Sequence, residues 1–387
     1  MSRRKILVLT GIRSEYGILF PVLRAIQEHP QLELLVVAAA AHCSPALGHT
    51  VEMIEQDGFP IAERIESLLS SNTPGGRIKS TAIEMLGLVQ TLERLRPDLI
   101  VAVGDREEPL VAAFCGVHLN IPMAHLCGGD YVIGGNADDS IRHAVSKMAH
   151  LHFPMSEMSA ERLRRMGEED WRIHCTGNPG LDRLFWEPPL TREELASRWG
   201  FALGQSPLVV IIQHPVNAEA GDAARQMAIT LEAVADVRCT AILIYPNSDP
   251  GSHDTIRTIE SYLPKTGHLH AFRNLPQSEF VNLLRHAGVL VGNSSLGILE
   301  APALRLPVVN IGNRQNGREH AANVQFVPHE KAAIQHATER ALFNAGYREE
   351  VAQCHNPFGD GHAGKRIADI LATCPLDETL LLKRGVQ

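Results

Sequence analysis

A chain of 387 residues with 44% hydrophobic and 21% charged side chains can bury two cores of ordinary domain size without staples. Its 44 acidic against 36 basic residues, a formal net charge of −8, exclude a general affinity for nucleic acid or anionic membrane, though not a local basic pocket for phosphate. Seven cysteines without a CxxC pair point to a reducing compartment, and no stretch approaches the ~20 apolar residues of a membrane span.

The first half opens on a buried strand, Ile6–Leu9, the turn Thr10-Gly11-Ile12-Arg13 and an apolar helix from about Tyr16. Strand-like Leu32–Ala39 and helical stretches around His49–Gln56 and Ile78–Leu95 follow. Leu99–Val103, a helix through Leu110–Leu119, Pro122–Leu126 and strand-like Leu151–Pro154 complete it. Short apolar runs alternating with helical periods predict βαβ units and a parallel sheet covered on both faces. The pattern breaks at Gly177-Asn178-Pro179-Gly180. A polar helix, Thr191–Arg198, then leads into strands Leu208–Ile212, Thr240–Tyr245, His268–Phe272, Val289–Val291 and Pro307–Ile311. Two α/β halves joined near residue 180 are expected, with a last helix, Gly364–Thr373, that belongs to either. The run after Met1-Ser2-Arg3-Arg4-Lys5 is too short for a signal peptide, so a cytoplasmic protein is expected.

Ligands of open parallel sheets sit beyond the carboxyl ends of the strands, and several polar clusters fall there. Gly292-Asn293-Ser294-Ser295-Leu296-Gly297 follows a strand and opens a helix expected to end near Leu304. Small residues, hydroxyls and free N–H groups make that an anion site, and Glu300 stands where a carboxylate could take ribose hydroxyls. Equally, Ser295 is only an N-cap and Glu300 a solvated charge. Arg13 is a second phosphate candidate or a surface arginine. Asp105, in Gly104-Asp105-Arg106, is a general acid or base in a cleft, or a helix N-cap. His125-Leu126-Cys127-Gly128-Gly129-Asp130 ends another strand, and Asp138-Asp139 starts a helix where one carboxylate could be buried and one exposed. His214 closes the run Leu208–Gln213 and places an imidazole at a cleft edge. Gly359–Lys365 has phosphate-loop spacing, but Arg366 stands where Ser or Thr would hold magnesium and no strand precedes it. His150, His152, His125 and Cys127 lack a persuasive ligand spacing, so no metal is expected.

Taken together and in order, Gly11-Ile12-Arg13-Ser14-Glu15-Tyr16, Gly104-Asp105-Arg106, His125–Asp130, Asp138–His143, His150–Phe153, Gly292–Pro302 and Asn310–Arg318 resemble the UDP-N-acetylglucosamine 2-epimerases, in particular the hydrolysing branch that supplies precursors of sialic acid-like sugars. The resemblance runs from residue 4 to about residue 372. It implies two Rossmann-like domains in the GT-B arrangement, residues 1–180 and 181–363, with the helix in 364–387 packing back on the first. It implies loss of the C2 proton as the nucleotide leaves C1, a glycal held in the site, and hydration to a free 2-epimerised sugar. Ser294, Ser295, Gly297 and Arg13 would hold the diphosphate and Glu300 the ribose, with Arg314 and Arg318 nearby. Asp105 and Asp138 would be the acid–base carboxylates, and His214 would meet the leaving phosphate. No cofactor is implied, and a homodimer is.

Three departures stand out. Cys127 occupies a place usually held by His or Glu, and a thiol of ordinary pKa, ~8.5, is a poor substitute unless it is activated or Asp130, Asp138 or a water takes over. Tyr131–Ala137 is one residue longer than usual, which points to a modified hexosamine such as diacetylbacillosamine in a legionaminic acid pathway of surface polysaccharide synthesis. Asn313 replaces an Asp, so a GDP-linked substrate is open beside a UDP-linked one. A non-hydrolysing epimerase, a GT-B glycosyltransferase and an inactive sugar-nucleotide sensor are the competing readings.

Overall fold

The computed structural model describes residues 3–71, 73–131, 137–246, 250–265 and 267–384. The chain forms two compact units, Met1–Phe185 with Phe358–Gln387, and Trp186–Pro357. The division falls at 185/186 and 357/358, against the 180/181 and 363/364 read from the sequence.

Six parallel strands build the first unit: β1 (Arg4–Thr10), β2 (Leu32–Ala39), β3 (Ile61–Ile65), β4 (Leu99–Val103), β5 (Met123–Leu126) and β6 (Leu151–Phe153), in the order β3-β2-β1-β4-β5-β6. The second repeats the plan with β7 (Leu208–Ile212), β8 (Thr240–Ile244), β9 (Leu269–Phe272), β10 (Val289–Gly292), β11 (Val308–Ile311) and β12 (Val324–Val327), ordered β12-β11-β10-β7-β8-β9. Each unit is a Rossmann-like α/β domain. Central β4 and β7 are buried at every position, as continuous apolar runs covered on both faces must be. Edge strands β3 and β12, which the sequence reading passed over, carry Glu63, Arg64 and Gln325 and are only partly buried. A half-solvated edge has no continuous apolar run to betray it.

The first unit's helices are α1 (Arg13–Glu28), α2 (Val51–Gln56), α3 (Pro74–Leu95), α4 (Glu107–Leu119), α5 (Ala137–Met148), α6 (Glu157–Arg165) and α7 (Gly180–Trp186). Thr73 caps α3 by accepting from the Gly76 N–H at 3.0 Å, with Pro74 at the first helical position. The second unit adds α8 (Arg192–Trp199), α9 (Ala223–Ala235), α10 (Ser252–Tyr262), α11 (Gln277–His286), α12 (Leu296–Leu299), α13 (Lys331–Phe343) and α14 (Ala345–Ala352). The helix expected to reach Leu304 stops at Leu299 and passes into a 3₁₀ turn, Ala301–Leu304, because Pro302 brings no N–H to continue the ladder.

Returning to the first unit, α15 (Ala363–Thr373) lies on α1, and a Cβ at Gly364 would fall 2.7 Å from the Pro21 carbonyl oxygen. Asp182 caps it, accepting from the N–H groups of Ala363 and Gly364 at 3.0 and 2.8 Å. The short α16 (Glu378–Leu381) is strapped down by Arg172, which has no exposed surface and donates to the carbonyls of Thr379, Leu380 and Leu382 at 2.9, 2.7 and 3.1 Å. Lys383 donates to the carbonyls of Lys147 and Ala149, both at 2.7 Å, and meets Glu168 at 2.6 Å. Burial alone would raise the Glu168 carboxyl, but hydrogen bonds from His152, Lys147 and Lys383 outweigh it and hold it at about 2. Among the described residues no helix is long and apolar enough to cross a membrane.

Candidate active site

Strand order reverses between β1 and β4 in one sheet and between β7 and β10 in the other, and loops leaving such neighbours splay apart into a crevice. Candidate residues of each half fall there: Arg13 after β1 and Asp105 after β4, then His214 after β7 and Ser294 after β10.

In the first unit Arg142, on α5, gathers the acidic candidates. Its guanidinium pairs with the carboxylates of Asp105 and Asp139 and donates to the Asp130 carbonyl at 3.2 Å. Of the adjacent pair, Asp139 is the buried member, tied up by Arg142, and Asp138 stays half-exposed within the field of Arg106. Asp105 follows Gly104, whose φ of +87° makes the turn out of the strand. It does not take the N-cap position of α4, which falls to Arg106. Arg13 is exposed at the start of α1, whose N-cap, Ile12, supplies no side-chain cap, so that helix terminus stays open to an anion. The lengthened segment read at Tyr131–Ala137 lies, for residues 132–136, outside the described residues.

Cys127 is buried at a φ of +62°, a conformation costly for a residue with a Cβ. Burial pushes its thiol up to about 12, and Asp130 and Asp105 push the same way. The group is therefore a protonated thiol at neutral pH, unsuited to act as a base. Cys127→Ala is expected to hold kcat within ~3-fold in a sugar-release assay, whereas loss of ~10²-fold or more would make the thiol a proton carrier. The neighbouring histidines are committed. His125 pairs with the Gly104 carbonyl at 2.7 Å and Ser146 at 3.0 Å, and burial drives it down to about 3. His152 meets Glu168 at 2.9 Å, and His150 accepts from the Met123 N–H at 3.1 Å. Among the described residues no group of three His, Cys, Asp or Glu could hold a metal ion.

The second unit's site is organised by Asn293. Its side chain accepts from the His214 N–H at 2.7 Å and donates to the His214 carbonyl at 2.8 Å, clamping β7 to β10 at their ends. Its carbonyl takes donors from Arg314 at 3.2 Å and Gln315 at 2.9 Å, and Gln315 in turn accepts from Arg318 at 3.2 Å. Gly292 allows this approach, since at its φ of +140° a Cβ would sit 2.0 Å from the Ile212 carbonyl oxygen. Ser295 makes no side-chain cap, and among the described residues the N–H groups of Ser294 and Ser295 have no acceptor. The Gly297 N–H is taken by the Ser294 carbonyl at 3.1 Å, and a Cβ there would meet Val308 at 2.8 Å, so the missing side chain also lets the segment pack against β11. Glu300 is partly buried, and desolvation pushes its carboxyl up to about 7.

One cluster escaped the sequence reading. Glu15 from α1, Glu84 from α3 and Glu108 from α4 converge on Arg106, which stands 3.4 Å from Glu108 and 3.9 Å from Glu15. Burial, then the repulsion of Glu108, raises both Glu15 and Glu84, the latter to about 8. Gly11 makes the room, since a Cβ there would lie 2.2 Å from the Glu108 carboxyl.

A family model described as UDP-N-acetylglucosamine 2-epimerase matches residues 24–372. The chain is 34% identical over 380 residues, 98% of each chain, to a UDP-N,N'-diacetylbacillosamine 2-epimerase (hydrolyzing) from Legionella pneumophila. It is 32% identical to a GDP/UDP-N,N'-diacetylbacillosamine 2-epimerase (hydrolyzing) from Campylobacter jejuni, over 84% of each. The fold is similar to that of UDP-GlcNAc 2-epimerase from Neisseria meningitidis bound to UDP-GlcNAc, with a TM-score of 0.76 and 19% identity over 95% of this chain and 99% of that one.

Proposed function

The chain belongs to the UDP-N-acetylglucosamine 2-epimerase family, and on that premise we propose that it is a hydrolysing 2-epimerase of a UDP-linked N-acetylated hexosamine, a diacetamido sugar of the bacillosamine type foremost. The proton leaves C2 as UDP departs from C1, and water adds across the resulting double bond to release the free 2-epimerised sugar.

The observation that carries this reading is the placement of Asp105 and Ser294 just beyond the strand-order reversals of their own sheets, with Asp138 at the start of α5, the helix that follows β5. The acid–base carboxylates Asp105 and Asp138 belong to one unit, the anion-binding Ser294 and Ser295 to the other. C2 is weakly acidic, so the departing diphosphate must be stabilised as the proton goes, by donors such as the open N–H groups of Ser294 and Ser295 and the guanidinium of Arg13. A panel of UDP- and GDP-hexosamines in deuterated water tests it. Free sugar plus nucleoside diphosphate, with deuterium at C2, is the expected product, from the UDP-linked diacetamido sugar above all. Retained C2 hydrogen removes the elimination, and an epimer still joined to nucleotide moves the chain to the non-hydrolysing reaction. A homodimer in the cytoplasm completes the proposal, for which sedimentation at assay concentration checks the assembly.

Glu300 supplies the ribose contact in this scheme. Glu300→Ala is expected to weaken nucleotide binding by ~1–3 kcal/mol, read by calorimetry. A carboxylate takes two hydroxyl donors better than its protonated form does. With the carboxyl raised to about 7, wild-type affinity for the nucleotide sugar should therefore rise as pH climbs from 6 to 8. Glu300→Gln should flatten that rise.

A further inference from the structure

Glu219 and Asn313, which the proposed chemistry leaves aside, meet in the second unit between the segments that carry His214 and Arg314. Glu219 stands on the 3₁₀ turn Asn217–Asp222, in the loop that continues from His214, and Asn313 is the residue before Arg314. The Asn313 amide nitrogen donates to Oε1 of Glu219 at 2.9 Å, and Oε2 accepts from Gln226 of α9 at 2.7 Å. One turn further along the same face of α9, Thr230 donates to the Gln213 side chain at 2.6 Å, and Gln213 is the chain neighbour of His214. From the other side, Asn293 clamps the His214 backbone and takes the Arg314 guanidinium on its carbonyl. The bonds therefore close into a circuit: His214 and Arg314 are joined once through Asn293 and again through α9, Glu219 and Asn313.

The second path does what the first cannot. Asn293 holds the tip of the Arg314 side chain, whereas Glu219 holds the chain at its root. Gln213, Gln226 and Thr230 are buried, so this path is anchored in the core and reaches the surface only at Asn313. An arginine gripped at both ends surrenders its rotamer freedom before a ligand arrives, and donors fixed in advance are the ones that best stabilise a departing diphosphate. The pair is chemically particular as well. A carboxylate only accepts, so the group facing Glu219 must donate, which asparagine can do and its isostere aspartate cannot.

We propose that Glu219 and Asn313 are positioning residues for the diphosphate, acting through His214 and Arg314, and that the asparagine at 313 answers Glu219 and not the base of the nucleotide. The inference rests on the functional reading in which His214 and Arg314 meet the diphosphate. A double-mutant cycle on the full chain tests it, with UDP and GDP binding read by calorimetry in wild type, Asn313→Asp, Glu219→Gln and the double variant. Asn313→Asp should weaken UDP by ~10-fold and gain nothing for GDP, with the urea midpoint unchanged because Asn313 is exposed. Glu219→Gln alone should hold UDP within ~3-fold, since Asn313 can turn its carbonyl to the new amide. The double variant should return to within ~3-fold of wild type, because the introduced glutamine donates to the introduced aspartate and still accepts from Gln226. If charge near the phosphates were the whole effect, Glu219→Gln alone would tighten UDP by as much as Asn313→Asp weakens it, and that result overturns the proposal. So does an Asn313→Asp chain that binds like wild type, a double variant as weak as Asn313→Asp, a gain of GDP affinity, or a fall in stability that parallels the loss of binding. Wild type that binds no UDP removes the functional reading itself. The full pattern in a chain that never exchanges the C2 hydrogen supports the pair and overturns the reaction.

Discussion

Asp105→Asn should lower the rate of sugar release by ~10³-fold while UDP affinity stays within ~2-fold. The substitution keeps the side chain's shape and leaves an oxygen to accept from Arg142. Arg142 also retains Asp139 and the Asp130 carbonyl, so the local geometry should survive. What disappears is the ability to take a proton, and a positioned acid or base is worth ~10²–10⁴-fold. Single-turnover release of sugar, with calorimetry of UDP on the same preparation, separates the two effects. Activity within ~10-fold of wild type would leave Asp138 as the principal proton carrier. Loss of UDP binding in parallel would instead make Asp105 part of the nucleotide site.

Arg172→Met should cost ~3–5 kcal/mol of stability, which is the scale for removing one partner of a buried charged network. Arg172 meets Glu169 at 2.7 Å, the His150 carbonyl at 3.2 Å and three carbonyls of the last turn, and its guanidinium lies 4.1 Å over the Trp171 ring. Methionine fills part of the volume but leaves those carbonyls without donors. Urea unfolding gives the energy, and limited proteolysis should show cleavage within 375–384 long before the rest of the chain. A change below ~1 kcal/mol would mean that Lys383, on the carbonyls of Lys147 and Ala149, secures the segment alone.

Much of this architecture could be read beforehand, and for a definite reason. Leu99–Val103 and Leu208–Ile212 are uninterrupted apolar runs because both faces of a central parallel strand are covered, and the polar residues that follow them mark the strand ends where ligands bind. That logic led to Asp105, His214 and Ser294, each of which does stand just beyond a strand. It could not find Glu15, Glu84 and Glu108. Each looks like a solvated glutamate on an amphipathic helix, and only the packing of α1, α3 and α4 buries all three around Arg106. Gly297 is ambiguous in the sequence for another reason, since closeness to a ligand and closeness to a neighbouring strand ask for the same missing Cβ. The burial of Cys127 is likewise set by packing and leaves no mark in the sequence.

The chain leaves its first unit at Phe185 and comes back at Phe358, and the two ends of that detour are already stitched together, the Asn178 N–H donating to the Phe358 carbonyl at 2.8 Å. Topologically the second unit is a loop insertion. A ribosome must therefore synthesise the whole of the inserted part before α15 emerges to cover the apolar side of α1, so the half made first is finished last. Conversely, joining the two ends with a few residues of flexible linker should excise the insertion and leave a self-sufficient lobe, whereas cutting the gene after codon 185 should yield one with an uncovered helix and a tendency to aggregate.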